Sequence, residues 1–351
     1  MKWWRRAEQR QPTQAQRLFN GLVREWLWIS LLLLPLTAFL SLSPGLSLNN
    51  LLYDSLRRLA PLPVDSRILL VTIDDMSLKE LGQWPWSRRL HADLLDHLSA
   101  AKPAGILFDV IFSEPAREPA NDQRLAQAIC NAGNVLLPLI REGTQRLGQP
   151  VTQILPVQPL RDCARSVGHI NVEADSDGIV RSLYLREGPP GQLVPQLAWL
   201  AFELTGQQTD MPGLSVASGD TDWQRDNAIR IPFIAADEGF PSVPYVSVLR
   251  GEVPAQLLRD RVILVGAIAP GMGDRYVTPL SASVGTTPGV EIQANILNGL
   301  LQDRSITVFP TWLATLLSTS MVALLMGLLL LRPRYALWLT LACMSTALLA
   351  S

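Results

Sequence analysis

The sequence predicts an α/β domain with a mainly parallel sheet and one antiparallel hairpin, flanked by transmembrane α-helices. Three observations predict it: long charge-free runs near both ends of the chain, four shorter runs rich in Ile, Val and Leu between them, and helical patterns that alternate with the shorter runs. Hydrophobic residues make up 48% of the 351 residues and charged residues only 17%, against about 25% in ordinary soluble domains.

The long charge-free runs predict membrane spans. Residues 26–53 and 305–331 contain no charged side chain, and a bilayer core requires about 20 mostly apolar residues. A third charge-free run, 335–351, is expected to begin another span. A cleaved signal peptide explains the first run less well, because the basic region before it is long and no A-x-A pattern follows it.

Basic flanks predict the orientation of these spans. Residues 1–25 carry six Lys and Arg against two Glu, and the link between the second and third runs reads Arg-Pro-Arg. Since Lys and Arg favour the cytoplasmic side, we expect the N-terminus inside and the middle of the chain outside. The predicted parts are a cytoplasmic N-terminus (1–25), a first span (26–48), an extracytoplasmic domain (49–304), a second span (305–331), a cytoplasmic link (332–334) and the start of a third span (335–351).

The middle segment is acidic. Of the 30 basic and 31 acidic residues in the chain, eight and two lie in the cytoplasmic parts, which leaves residues 49–304 with a formal charge near −7. Nucleic-acid phosphates require a basic face, so nucleic-acid binding is excluded. Cys130 and Cys163 lie in a compartment that permits a disulfide, although nothing in the sequence brings them together. No C-x-x-C pair or His/Cys cluster predicts zinc, and no cofactor is expected.

Strands and helices alternate within this acidic segment. Near-continuous apolar runs predict parallel strands buried on both faces at 67–73, 104–112, 134–140 and 261–268. Helical periodicity follows at 88–102 and 289–303. Two further runs flank the sequence Asp-Ser-Asp-Gly at 175–178, which predicts the antiparallel hairpin. Polar and Pro-rich stretches at 141–150, 186–195 and 206–226 are predicted to be loops or insertions.

Carboxylates follow the first two predicted strands. Asp74 and Asp75 come directly after the first strand, and Asp109 lies late in the second, with Glu114 just beyond it. Ligand sites of open α/β sheets lie beyond the carboxyl ends of the strands. If the two strands are neighbours, the carboxylates converge and can bind a divalent cation or hold a cationic or hydroxylated ligand. Two alternatives stay open: Asp75 caps a helix or belongs to a site, and Asp109 belongs to a site or to a structural pair.

A Trp-Pro-Trp segment precedes the next predicted helix. Trp84 and Trp86 are candidates to wall a pocket, and core packing is the alternative for at least one of them. Ser87 can cap the helix. Arg88 lies in the first turn, where the helix dipole disfavours a cation, so we expect one of the three aspartates just named to be its partner.

A glycine-rich segment, 265–281, follows the fourth predicted strand. Asp274 and Thr278 supply polar groups there, at the same edge of the sheet. The segment lacks the lysine and the spacing of a phosphate-binding loop. The chain has no G-x-S-x-G and no triad order, so no catalytic residue is predicted.

Taken together, five segments resemble the CHASE2 sensory domain over roughly residues 50 to 305: "VTIDDMSLKELGQWPWSR", "GILFDVIFSEP", "GHINVEADSDGIVRSLYL", "VILVGAIAPGMGDRYVTPLS" and "PGVEIQANILNGLL". The resemblance implies an extracytoplasmic input domain of a multi-pass receptor in the bacterial inner membrane. It also implies a cytoplasmic output domain, a histidine kinase or a nucleotide cyclase, which this chain does not include.

Three functions follow from these patterns. The first is the sensory region of such a receptor, a homodimer with a small molecule or an envelope component as its partner and helix 289–303 as the transmission element. The second is a membrane-anchored periplasmic metal-dependent hydrolase, which the scarcity of histidine, three in the chain, disfavours. The third is an envelope scaffold. The candidate ligand-binding residues are Asp74, Asp75, Trp84, Trp86, Arg88, Asp109, Glu114, Asp274 and Thr278.

Overall fold

A computed structural model describes most of the chain. The described residues are 14–42, 50, 53–55, 61–142, 151–207, 209–212, 218–220, 223–235, 237–308 and 311–331. In chain order the elements are α1 (Gln14–Leu42), β1 (Ile68–Ile73), α2 (Asp75–Leu81), α3 (Arg88–Ala100), β2 (Gly105–Asp109), α4 (Pro119–Ala132), β3 (Val135–Glu142), β4 (Thr152–Ile154), α5 (Gln158–Cys163), β5 (Ser166–His169), β6 (Glu173–Ala174), β7 (Val180–Gly188), β8 (Val194–Pro195), α6 (Leu197–Glu203), β9 (Ser218–Asp220), β10 (Trp223–Arg230), β11 (Ser242–Pro244), α7 (Tyr245–Leu249), α8 (Ala255–Leu258), β12 (Val262–Ala267), β13 (Arg275–Tyr276), α9 (Ser281–Val284), β14 (Thr287–Pro288), α10 (Gly289–Leu301), β15 (Ile306–Thr307) and α11 (Thr311–Leu331).

The chain forms two units. The first consists of residues 1–55 and 309–351, and the second of residues 56–308. In the first unit α1 packs against α11, and the indole nitrogen of Trp26 donates a 2.6 Å hydrogen bond to the carbonyl of Met326. Among the residues that the structure describes, no helix is both long enough and apolar enough to count as a membrane span. The two predicted spans stay a prediction, and the predicted link and third run lie outside the described residues.

A mainly parallel sheet forms the centre of the second unit. Its parallel strands run in the order β11-β1-β12-β2-β3-β5, and β4 pairs antiparallel with the end of β3. The four strands predicted from apolar runs are confirmed. However, β1 and β2 are not neighbours, because β12 lies between them and pairs with both. Leu264 of β12, for example, is opposite Leu70 of β1 on one side and Leu107 of β2 on the other. Strand order depends on long-range pairing, which the local apolar pattern does not contain.

A second, antiparallel sheet has the order β15-β10-β7-β6, with β8 beside β7 and β9 beside β10. The predicted hairpin is confirmed: β6 and β7 flank a turn in which Gly178, at φ +79°, donates a 2.9 Å hydrogen bond to the carbonyl of Asp175. The rest of this sheet contradicts the loops predicted at 186–195 and 206–226, since β7, β8, β9 and β10 occupy parts of both. Charged and polar residues interrupt the apolar ones in β7 and β10, so neither strand forms a continuous apolar run.

Hydrophobic cores lie on both faces of the parallel sheet. Along β1, Ile68 and Leu70 face the core that α6, α10 and the antiparallel sheet cover. Leu69 and Val71 face the opposite core, which α3, α4 and α7 cover. Each of these side chains is almost completely buried, and such burial contributes about 1.5–3 kcal/mol per side chain. Burial on both faces explains why the strands appear as unbroken apolar runs in the sequence.

A disulfide bond joins two helices on one side of the sheet. Cys130 in α4 and Cys163 at the end of α5 are bonded, with their Cα atoms 4.6 Å apart. The pairing that the sequence left open is therefore present. The bond closes a loop of 33 residues, and a loop of that length stabilises the fold by roughly 3–4 kcal/mol through the entropy of the unfolded chain.

Candidate functional site

The two adjacent aspartates lie at the start of α2. Asp74 precedes the helix, and its carboxylate accepts a 2.9 Å hydrogen bond from the amide of Ser77. Asp75 is the first helical residue and its side chain is exposed. The helix cap that the sequence suggested for Asp75 is therefore made by Asp74. Ser77 in turn accepts a 3.2 Å hydrogen bond from the amide of Val246, which holds α2 against α7.

Arg88 pairs with a carboxylate that the sequence did not suggest. Its guanidinium forms an ion pair with Asp122 of α4 and donates a second hydrogen bond to the carbonyl of Glu114. The expected partners, Asp74, Asp75 and Asp109, were therefore wrong. The reason is that α3 packs against α4, a helix-to-helix contact that strand-end spacing does not reveal. The side chain of Glu114 is exposed.

The two tryptophans have different surroundings. Trp86 is buried, donates a 2.8 Å hydrogen bond to the carbonyl of Gly82, and packs 4.9 Å from the ring of Tyr245. The hydroxyl of Tyr245 also lies 2.8 Å from Nδ1 of His91. Burial, and secondarily the charge of Arg88, lowers the pKa of His91 to about 3, so this histidine is a neutral core residue. Trp84 is only partly buried and lines a cavity.

That cavity lies where β1, β2 and β12 end and α10 begins, and its volume is 260 Å³. Of the nine predicted site residues, it brings together Trp84, Asp109 and Asp274. Its polar lining residues are Asp109, Asp274, Tyr276 and Gln293, and its apolar lining residues include Ile73, Val110, Met272 and Ile292. The position agrees with the rule that ligands of open α/β sheets bind beyond the carboxyl ends of the strands.

Asp109 is the last residue of β2, and glycines make room for it. A Cβ atom at Gly289 would lie 3.2 Å from the Oδ2 atom of Asp109, and one at Gly266 would lie 3.2 Å from its Cβ atom. Within the described part of the chain its carboxyl has no hydrogen-bond partner. Burial, and secondarily the negative charge of Asp274, raises the pKa of Asp109 to about 7. The carboxyl is therefore half ionised near neutral pH.

Asp274 and Tyr276 also line the cavity, and both lie near Gly289, as Asp109 does. The tyrosine hydroxyl donates a 3.3 Å hydrogen bond to the Asp274 carboxylate. Burial first, and then the charges of Asp274 and Asp109, raise the pKa of Tyr276, so its hydroxyl stays a neutral donor. The carbonyl of Asp274 accepts a 3.0 Å hydrogen bond from the amide of Gly289, which attaches this loop to the first residue of α10.

Gln293 connects the cavity to a second helix. Its side-chain oxygen accepts a 2.6 Å hydrogen bond from Gln196, and its nitrogen donates a 3.5 Å bond to the carbonyl of Ile170. Gln196 also caps α6 by accepting hydrogen bonds from the amides of Ala198, at 2.5 Å, and Trp199, at 3.3 Å. Gln293 was not among the residues predicted for the site. The available signal was a polar amide inside an otherwise apolar helical run, which requires a buried partner.

The other end of α10 holds the segment that precedes β1. The buried side chain of Asn298 accepts a 2.8 Å hydrogen bond from the amide of Asp65 and donates a 3.1 Å bond to the carbonyl of Pro63. Gln302 donates a further 2.8 Å bond to the same carbonyl. One helix therefore extends from the cavity to the segment that precedes β1.

Thr278 lies outside the cavity lining. It is buried, and its hydroxyl is 3.0 Å from that of Thr287, while its amide donates a 2.8 Å hydrogen bond to the hydroxyl of Ser281. These contacts fix the loop that carries Asp274. The sequence suggested that Thr278 supplies a polar group at the edge of the sheet. In the structure its hydrogen bonds are to the nearby side chains of Ser281 and Thr287.

Metal ligation has little support in the described residues, among which no group of three or more His, Cys, Asp and Glu side chains is arranged to hold a metal ion. The cavity itself contains the carboxyls of Asp109 and Asp274. Two carboxyls fall short of the six to eight oxygen ligands that Ca²⁺ takes.

Comparison with known proteins identifies the family. No curated protein and no solved structure matches the chain at a significant level. The sequence profile of the CHASE2 domain matches residues 27–331, which is most of the chain. This match agrees with the resemblance carried by the strand-end aspartates, the Trp-Pro-Trp segment and the start of α10. The chain therefore belongs to the CHASE2 family of extracellular sensory domains.

Proposed function

We propose that this chain is the input region of a bacterial transmembrane receptor and that the cavity beside α10 binds the molecule that the receptor senses. Membership of a sensory-domain family supports a sensory role. The observation that carries the assignment of the cavity is Asp109, whose carboxyl faces a space of 260 Å³ and has no hydrogen-bond partner among the described residues. A ligand that carries a hydrogen-bond donor would supply the partner that this partly buried carboxyl lacks among the described residues.

We further propose that residues 49–304 face the cell exterior, between spans in the inner membrane, and that the receptor works as a homodimer. The charge-free runs 26–53 and 305–331 support the spans, and the basic residues of 1–25 support a cytoplasmic N-terminus. The signal would reach a cytoplasmic output domain, a histidine kinase or a nucleotide cyclase.

The proposed route of the signal is α10. Its first turns carry Gly289 and Gln293 at the cavity, and Asn298 near its other end holds the segment before β1. A ligand that binds one position of α10 better than another shifts the population toward that position. The hydrogen bonds of Asn298 would then carry the displacement to the segment that precedes β1.

A thermal-shift screen of the chain tests the ligand site. The compounds are amino acids, nucleotides, divalent cations and fragments of the cell envelope. At a hundredfold excess over its dissociation constant, a ligand adds about 2.7 kcal/mol to the free energy of unfolding. We expect a ligand whose effect disappears in Asp109→Asn and persists in Asp75→Asn, a matched change of an exposed carboxylate on α2.

Two outcomes would count against the proposal. Ligands that stabilise both variants equally would place the binding site elsewhere. A folded dimer that no compound stabilises would favour the alternative that the domain docks another envelope component.

A further inference from the structure

The charged groups that line the cavity are all acids. Asp109 and Asp274 face it, and its described lining contains no Lys, Arg or His. Arg275, next in the chain to Asp274, directs its guanidinium to the side chain and carbonyl of Thr286, at 2.9 and 2.6 Å, and to the carbonyl of Ile268, at 3.1 Å. An anion in the cavity would therefore meet carboxylates without a compensating cation, which is how binding sites reject ligands of the wrong charge.

The remaining lining suits a carbon skeleton. Aliphatic side chains such as Ile73, Ile292 and Met272 form much of the wall, and the rings of Trp84 and Tyr276 complete it. Aromatic rings attract cations through their electron-rich faces. A volume of 260 Å³ is just below the usual range of drug-sized pockets, about 300–1,000 Å³, so the occupant must be small.

These features favour an organic cation over a metal ion. Divalent cations require several oxygen ligands in a fixed arrangement, whereas this cavity offers two carboxyls and apolar walls. An ammonium group carries its own N–H donors and can bond to both carboxyls. The apolar walls would then cover the carbon body to which the ammonium group is attached.

We propose that the cavity binds a small organic cation, an ammonium or amidinium group on a short apolar body, with the charged group between Asp109 and Asp274. The inference rests on the proposed sensory function, because it assigns the ligand class of that same cavity. Tyr276, which donates to Asp274, holds that carboxylate in place. The two carboxyls then select ligands by charge and the walls select them by size.

Binding should strengthen as the pH rises. Asp109 has a pKa of about 7, so it is about one-tenth ionised at pH 6 and about nine-tenths ionised at pH 8, and a ligand that requires the ionised form binds about tenfold tighter at pH 8. The titratable groups that face Asp109 are Asp274 and Tyr276; β1 and β12 contribute Ile73 and Ala267, which do not titrate. On α10, burial raises the pKa of Glu291, and the nearby charge of Arg275 offsets part of this increase.

The test compares ligands that share one body and differ in charge. The probes are n-butylammonium, 1-butanol and butyrate, and the larger set 2-phenylethylammonium, 2-phenylethanol and phenylacetate. Binding to the whole chain is measured by titration calorimetry at pH 6 and pH 8, with MgCl₂ and CaCl₂ as separate probes. We expect only the ammonium compounds to bind, about tenfold tighter at pH 8.

Variants locate the site. Asp109→Asn and Asp274→Asn should each weaken ammonium binding at least tenfold, and Asp109→Asn should also remove the pH dependence. Asp75→Asn, on the exposed surface of α2, should bind as the original chain does. Circular dichroism tests whether each variant is folded. If one of the two aspartate variants does not fold, the other still tests the site.

The outcomes separate this inference from the sensory proposal. Butyrate or 1-butanol binding as tightly as the ammonium compound, with loss in Asp109→Asn, would overturn the ligand class and leave the cavity as the sensory site. If Mg²⁺ or Ca²⁺ binds and no ammonium compound does, the ligand of the cavity would be a metal ion and the inference would be wrong. No ammonium binding in the millimolar range would also overturn the inference, and the wider compound screen would still decide the proposed function.

Discussion

Replacing Asp109 by Asn is expected to make the unliganded protein more stable at pH 8 and to leave it unchanged at pH 4. The change keeps the size of the side chain and removes its ionisation. The pKa of Asp109 is about 7 in the folded chain, against 3.8 for an ordinary aspartate side chain. The folded state therefore binds a proton more tightly than the unfolded state does, and the contribution of this group to stability falls as the pH rises from about 4 to about 7.

The magnitude follows from the difference between the two pKa values. A difference of roughly three pKa units corresponds to about 4 kcal/mol at 1.36 kcal/mol per unit. Relaxation of the cavity and entry of water reduce this value, so it is an upper bound. The free energy of unfolding of Asp109→Asn minus that of the original chain should be near zero at pH 4, rise between pH 4 and pH 7, and stay constant above pH 7.

The assay is urea denaturation of both proteins at several pH values between 4 and 8.5. Glu291, whose pKa is also raised, contributes equally to both curves and cancels in the difference. Asp75→Asn is the control, because it makes the same chemical change at an exposed carboxylate that does not line the cavity. A flat curve for Asp109→Asn, or one that falls with pH, would refute the conclusion that burial keeps this carboxyl partly protonated.

Three further predictions concern the framework of the site. In Gly266→Ala the new methyl would lie 2.5 Å from a side-chain carbon of α10, so we expect a loss of about 1–3 kcal/mol in urea denaturation, while Gly239→Ala, with open space around it, should change little. Asn298→Ala leaves the amide of Asp65 without its hydrogen bond, and we expect a loss of about 1–3 kcal/mol and faster amide exchange at that residue. Cys130→Ser should lower stability by about 3–4 kcal/mol, and a reductant should have the same effect on the original chain but none on the variant.

The sequence was sufficient to predict the elements whose signal is local. Strands buried on both faces appear as apolar runs, and the turn at Gly178 is signalled by its own residue type. The strand β10 was missed because Arg225 and Asp226 interrupt any apolar run, although Trp223 and Ile229 are buried. Its place in a sheet depends on pairing with β7, which no local pattern specifies.

The candidate site shows the same division. Asp109 was found because an acid at the end of a buried strand is unusual wherever the strand lies. Asp274 was found because it is a polar residue of the glycine-rich segment that follows the fourth predicted strand. Arg88 was assigned the wrong partner because its ion pair is formed between helices. Tyr276 and Gln293 were missed because each reaches the cavity through the packing of a loop and a helix against strands distant in the sequence.

The hydrogen bonds of Asn298 and Gln302 to the segment before β1 also affect how this unit can be connected to other chains. They keep residues 63–65, near the start of this unit in the sequence, beside residues 298–302, near its end. A domain whose ends lie together can be inserted between two helices without forcing them apart, and its ends can be joined by a short linker with new ends opened in an exposed loop. A circular permutant of this kind should therefore fold and keep the cavity, because no contact around Asp109 depends on where the chain begins.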